Sequence, residues 1–322
     1  MIPVAHEADP PATLKVFHEK TVRRKGGVRL TRAASETERA IAHFTNAAHY
    51  AGNKKVSKEN FVFRIYSEKE VSDYLDGKFN KKCGYCESAM AHVTPKDIDH
   101  YRPKASIEGA GYAYHPGYYW LGANWHNLVV ACPRCNRSAG HEVPGVNDIQ
   151  QLGKASQFPL LREGVRVRSH TGVLDDEEQA RLLLHPYFDQ PGDHLEFGED
   201  GLVRPRIQPD GRPSEKGLHS IEVYALQRAA LVEQRKKTLD DFDFLVRDAA
   251  HLIAMHAHVR NARARRSNEA QLQLVFVKMA GFFGAKAPYQ AMLRQYLERH
   301  RGSRRFAALR RAGLDLMDLL AA

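Results

Sequence analysis

Two short sulfur pairs, C-G-Y-C at Cys83–Cys86 and C-P-R-C at Cys132–Cys135, constrain this chain more than any other feature. A C-x-x-C turn presents two thiolates to one ion, and two such turns complete a tetrahedral zinc shell with no position left for water. Such a site is structural rather than catalytic. The chain has no other cysteine. Its start, Met1–Leu14, has neither a basic n-region nor an apolar h-region, so a cytoplasmic location is expected. Disulfides are disfavoured in that reducing compartment, and paired cysteines there point to metal. No apolar run reaches the roughly eighteen residues of a membrane span.

The 45 residues between the pairs are more than a compact zinc finger needs, so functional residues are expected inside the loop. Around it the chain divides into four stretches. Residues 1–80 begin basic and irregular. Ser35 with Glu38, and Ser67 with Glu70, read as capping boxes opening helices to about Tyr50 and through Leu75. Residues 81–142 are rich in Gly, Pro and aromatics and read as short strands and loops, with a short helix near Cys135. Residues 143–217 are loop-rich, with weak strand signals at Val165–Arg168, a short apolar run at Leu182–Leu184 and a hairpin around Glu199-Asp200-Gly201. Residues 218–322 carry a helical apolar stripe. Further helices are expected over Glu269–Phe283, Tyr289–His300 and Arg304–Leu320. The expected class is α+β: a zinc-stapled core with N-terminal helices and a C-terminal helical region.

Inside the sulfur frame lie D-I-D-H-Y-R-P-K (Asp97–Lys104), W-H-N-L (Trp125–Leu128) and C-P-R-C-N-R (Cys132–Arg137). This pattern resembles the HNH, or ββα-metal, endonuclease family. The family's Asp-His pair, following Pro, middle Asn and closing residue fall on Asp99, His100, Pro103, Asn127 and Asn136. The closing residue is Asn where His is the other common choice. The resemblance implies phosphodiester hydrolysis, with His100 as general base because it alone among these groups accepts a proton near neutral pH. Asp99 and Asn136 offer hard oxygens suited to Mg²⁺ or Mn²⁺. It also implies that Asn127 ties the loop to the His100 backbone. Arg102 and Arg137 are candidates for phosphate contact. Taken singly, Asp97 or Asp99 could cap a turn and Asn136 a helix. His92, His115, His126 and His141 are read as structural or exposed.

The wider text, from C-G-Y-C-E through H-P-G-Y-Y-W-L to LLLHPYFDQPGDHLEFGEDG, resembles the HNH component of the Septu anti-phage system and its retron-associated relatives. That resemblance covers roughly Cys83–Gly201 and implies an ABC-like ATPase partner. No G-x-x-x-x-G-K-[ST] occurs here, and Gly153-Lys154 lacks the flanking residues, so ATP use would belong to the partner. The formal charge is +10, concentrated in a net +9 over residues 260–322 and +4 over residues 1–32. Basic ends suit a polyanion, with DNA favoured over RNA, or simply a solvated helix surface. Arg260, Arg263, Arg265 and Arg266 form one cluster, and Arg301, Arg304, Arg305, Arg310 and Arg311 a second. The alternatives are a zinc-dependent nucleic-acid-binding module that does not cut, and a stand-alone HNH restriction or RNA-directed nuclease.

Overall fold

The computed structural model describes residues 1–24, 26–46, 61–109, 112–114 and 116–320. Helix α1 (Lys15–His18) and the hairpin β1 (Lys20–Arg23) to β2 (Arg29–Thr31) lead into α2 (Arg32–Phe44) and α3 (Lys69–Lys78). The middle holds β3 (Asp97–His100), the hairpin β4 (Ile107–Gly109) to β5 (Tyr112–Tyr114), β6 (Leu128–Ala131), the one-turn helix α4 (Pro133–Asn136), and the pair β7 (Ala139–His141) and β8 (Gln150–Leu152). Helix α5 (Asp175–Ala180) and the hairpin β9 (Leu195–Phe197) to β10 (Val203–Pro205) precede α6 (Glu215–Val223), α7 (Ala229–His256), α8 (Ala262–Gly281), α9 (Gln290–His300) and α10 (Ala307–Arg311). Among the described residues every strand pairs antiparallel with one partner, in five two-stranded sheets. The fold is mixed α and β.

Strand β6 marks the centre: all four of its residues are fully shielded from solvent. A run of Leu-Val-Val-Ala has no polar face to give to water, so both sides must be covered. Strand β3 pairs with it in the register Asp97↔Ala131, Ile98↔Val130, Asp99↔Val129 and His100↔Leu128. One apolar cluster runs from Met1 through the cysteines to Leu316 and takes residues from all four stretches of the chain. A smaller one, Ala40, Phe44, Phe63 and Tyr119, stands beside it.

Several local expectations change in tertiary context. Helix α2 opens at Arg32, because the Thr31 hydroxyl accepts the Ala34 N–H at 3.1 Å. Glu36 turns inward, 1 % exposed, to accept the Arg64 N–H at 2.6 Å. The helix ends at Phe44, and Tyr50, like His115, lies outside the described residues. Helix α3 opens at Lys69, and Glu70 accepts the Val16 N–H at 2.8 Å instead of closing a capping box. Val165–Arg168 is not a strand; Glu163–Val165 is a single 3₁₀ turn. The hairpin near Gly201 forms as β9 and β10, with Gly201 at φ +80°. The C-terminal stripe is broken between α6 and α7, where Ala225 adopts φ +52°. Helix α8 starts well before Glu269, capped by the Asn261 side chain on the Arg263 and Ala264 N–H groups at 2.9 and 3.2 Å. Residues Arg304–Leu320 form only short helical turns around α10.

His185 packs beneath this core at 2 % exposure. Its Nδ1 accepts the Tyr187 N–H at 3.1 Å, so Nε2 carries the proton and donates it to the His126 carbonyl at 3.2 Å. Burial holds its pKa well below the ordinary 6.5. Below 6.5 the unfolded chain binds a proton that the folded chain refuses. The stability is therefore complete above that value and falls as the pH drops. We expect urea unfolding to lose about 1.4 kcal/mol per pH unit from this group below about pH 6.5. A stability unchanged between about pH 7 and pH 5.5 would contradict this placement.

Candidate functional site

Cys83 and Cys86 follow α3 through a tight bend, with Asn80, Lys81 and Glu87 at positive φ. The Gly84 N–H donates to the Val130 carbonyl at 2.8 Å, docking the turn on β6. A Cβ at Gly84 would lie 2.5 Å from the Phe79 ring, so only glycine fits. Cys132 and Cys135 sit at the end of β6 and on α4, whose first residue is Pro133, suited to a helix start because it lacks an N–H. All four sulfurs are buried and lie within 4.8 Å of one another. Burial holds the Cys83 and Cys135 thiols well above their ordinary pKa. Four thiolates this close and this dry need a cation among them, and the soft donor set fits zinc. Among the described residues no other group of three or more His, Cys, Asp or Glu side chains converges in this way.

Strand β3, paired with β6, and the end of α4 line a second feature, a cleft of about 950 Å³ bounded by Phe63, Tyr66, Asp97, Asp99, His100, Lys104, Asn136 and Arg137, among others. His100 ends β3 and is 4 % exposed. Its Nε2 lies 2.8 Å from the Gly122 carbonyl, which can only accept, so the proton is on Nε2. The lone pair is therefore on Nδ1, which faces the Lys104 ammonium at 3.0 Å. Burial, helped by Lys104 and Lys154, holds the imidazole well below its ordinary pKa and so neutral. The Tyr66 ring stands edge-on to it at 4.8 Å.

Asp99 precedes His100 on β3 and also lines the cleft. Its carboxylate accepts from the Tyr85 hydroxyl at 2.6 Å and from the Lys154 ammonium at 3.1 Å. The Asn136 amide donates to Asp97 at 3.0 Å, leaving its oxygen as acceptor. Arg137 is exposed at the rim and holds Asp97 with two bonds of 2.9 and 2.7 Å. Asn127 is a clamp: it accepts the Arg102 N–H at 2.7 Å and donates to the Arg102 and Leu121 carbonyls. It therefore holds the loop two residues beyond His100, not His100 itself. Arg102 is 7 % exposed, bonded to Glu177 and Glu178 at 2.9 and 2.6 Å, and lies against the Phe158 ring. The expected phosphate contact of Arg102 is therefore corrected: its guanidinium is buried and paired with two carboxylates in the interior. Arg263, Arg265 and Arg266 are exposed on α8. Of the second cluster, Arg305 is bound to Glu199 and Tyr296, and Arg310 to the carbonyls of Arg301 and Ser303.

Sequence reasoning missed Lys154, Tyr85 and Lys104 as members of the site. Lys154 is fully buried and also donates to the His100 carbonyl at 2.8 Å. Its backbone N–H bonds the Cys135 carbonyl at 2.8 Å, and the Ala155 N–H bonds Asn136 at 2.6 Å. Gly153, at φ +119°, lets this strap pass: a Cβ there would lie 2.0 Å from the Arg137 carbonyl oxygen. The only signal was a glycine before a lysine. Tyr85 was in view inside C-G-Y-C, and Lys104 inside D-I-D-H-Y-R-P-K.

We expect one zinc per chain by elemental analysis and insoluble or partly unfolded Cys132→Ser protein, since a thiolate site supplies roughly 10–16 kcal/mol of apparent binding energy linked to folding. Folded protein without metal would refute the assignment. Lys154→Met should lower stability by about 3 kcal/mol in urea, because it strands a buried carboxylate. Adding Asp99→Asn, which needs no counter-charge, should recover part of the loss; strictly additive losses would show that the pair is not coupled.

No protein-family model matches the chain. It is 38 % identical over 185 residues to the Septu protein PtuB of Bacillus mycoides (strain KBAB4), covering 57 % of this chain and 55 % of that protein. It is 27 % identical over 231 residues to the Septu protein PtuA of the same strain, covering 71 % of this chain and 28 % of that protein. The aligned region thus spans about half the length of one relative and about a quarter of the other. Two Septu proteins are therefore relatives of this chain, in keeping with the resemblance to Septu components carried by its motifs between Cys83 and Gly201.

Proposed function

We propose that this chain is a metal-dependent HNH endonuclease that hydrolyses phosphodiester bonds of nucleic acid, DNA in preference to RNA. In this reading it is the cutting component of a Septu-type anti-phage system and works with an ABC-like ATPase. The observation that carries the chemistry is the fixed tautomer of His100 in the cleft shared with Asp99 and Asn136. A neutral imidazole keeps its lone pair on Nδ1, which here accepts from Lys104 at 3.0 Å and would take a proton from water once Lys104 turns to the phosphate. The β3–β6–α4 unit would be the ββα-metal element, hung on a structural zinc.

The hard oxygens of Asp99 and Asn136, with Asp97 beside them, suit Mg²⁺ or Mn²⁺. A cation held there would supply charge neutralisation at the leaving 3′ oxygen. The chain's own residues do the rest. Lys154 and Tyr85 hold Asp99 in place. The Gly122 carbonyl and Tyr66 orient the His100 ring. Asn127 fixes the loop that follows, and Arg137 and Lys104 offer positive charge to the phosphate at the rim. On α8, Arg263, Arg265 and Arg266 would track the phosphate backbone, while exposed Leu274 and Val277 on the same helix give a partner apolar surface.

The test is incubation of the purified protein with plasmid DNA and with tRNA, with and without Mg²⁺, Mn²⁺ and the partner ATPase. His100→Ala should cut about 10²–10⁴-fold more slowly with its zinc retained. Asn136→Ala should regain part of its rate at raised Mg²⁺ or Mn²⁺. The acid limb of the wild-type pH–rate profile should lie below the ordinary histidine value, and Lys104→Met should shift it upward by removing a neighbouring positive charge. Wild-type cutting by His100→Ala under matched metal would end the reading.

A further inference from the structure

Two guanidiniums are buried at the start of α7, at Arg228 and Arg235, 8 % and 1 % exposed. Arg228 directs Nη1 to the Cys135 sulfur at 3.5 Å and Nη2 to the Cys86 sulfur at 3.4 Å, with the Cys132 sulfur at 3.9 Å. Its other bond goes to the Ala225 carbonyl at 2.9 Å. Arg235 donates to the Leu226 carbonyl at 2.7 Å and lies over the Phe197 ring at 5.1 Å. Among the described residues neither has a carboxylate at ion-pair distance. The buried carboxylate Glu87 is taken by the Met1 amine at 2.6 Å. Burial, with the Arg228 charge nearby, pulls Arg235 down to about 10.

Buried cations are expected to be paired. Arg228 touches three of the four sulfurs and pairs with them only as thiolates. A divalent cation in four thiolates has a net charge of −2, which the Arg228 guanidinium beside it offsets in part. We propose that Arg228 is a counter-cation of a dianionic metal tetrathiolate, so that α7 and the helices packed on it dock on the core only while the four sulfurs hold a divalent cation. This rests on the metal reading of the sulfurs and is independent of the nuclease reading. The contact geometry explains the direction of coupling. Arg228 is the residue before α7, and the next N–H, of Ala229, bonds the Glu142 carbonyl at 2.8 Å. The helix therefore starts against the metal centre. Helix α8 packs along α7, so both follow its fate.

The test uses the full-length zinc-loaded protein and needs no cleavage assay. Elemental analysis first establishes the metal; its absence from folded wild type would remove the premise and the proposal together. Zinc release to a chromogenic chelator should be about tenfold faster in Arg228→Met, while Arg228→Lys, which keeps the charge, should stay within about threefold of wild type. Hydrogen exchange of α7 peptides should rise about a hundredfold when wild type is stripped of zinc. In Arg228→Met the rise should be less than about tenfold, because no guanidinium is left facing the emptied sulfurs. Equal release rates in wild type and Arg228→Met would overturn the proposal. So would α7 protection that is the same with and without zinc in wild type, a measurement that stands even if the variants do not fold.

Discussion

Four buried sulfurs within 4.8 Å of one another, a set that could hold one metal ion, form the point on which the rest of the structure converges. The first cysteine turn docks on β6 through Gly84, and the second grows out of the end of β6. Since β3 pairs with β6, the metal frame fixes the strand that carries Asp99 and His100. The turn of α4 between Cys132 and Asn136 brings Asn136 to the same cleft. Asn136 follows Cys135 directly, and Asp99 and His100 pair with Val129 and Leu128, three and four residues before Cys132.

A second layer of buried charge holds that geometry. Asp99 is tied to Lys154 and Tyr85, whose ring stacks on Tyr224 at 3.9 Å. Arg102 is tied to Glu177 and Glu178. Tyr85 comes from the first cysteine turn and Tyr224 directly follows α6, while Lys154, Glu177 and Glu178 come from the loop-rich stretch after the second cysteine pair. That stretch has little regular structure, and its role is to supply counter-charges to the motif loops. Buried polar groups that are fully paired rigidify their surroundings, whereas half-paired ones are costly. The His100 tautomer follows from such pairing: a backbone carbonyl on one nitrogen leaves the lone pair on the other.

The similarity to two Septu proteins bears on the same residues. The match to PtuB extends over 185 positions, and that to PtuA reaches 71 % of the chain. The aligned part is 55 % of the length of the first relative and 28 % of the second.

The spacing of the cysteines made the metal centre legible in the sequence, because ligand geometry is local to each C-x-x-C turn. The motif between the pairs made His100, Asp99, Asn127 and Asn136 candidates, and the turn residues marked the hairpin at Gly201. The helical class of residues beyond 218 followed from periodicity. Tertiary structure decided the rest. Ser35 and Glu70 looked like caps, yet Thr31 caps α2, and Glu70 serves a backbone N–H from residue 16, a contact no local window contains. Arg102 looked like a phosphate ligand and is an interior ion pair, because its partners lie 75 and 76 residues away. Lys154 and Arg228 carried no motif at all. Their roles come from being buried beside charges far along the chain, and the electrostatic need of a buried charge is a property of its surroundings, which sequence order does not contain.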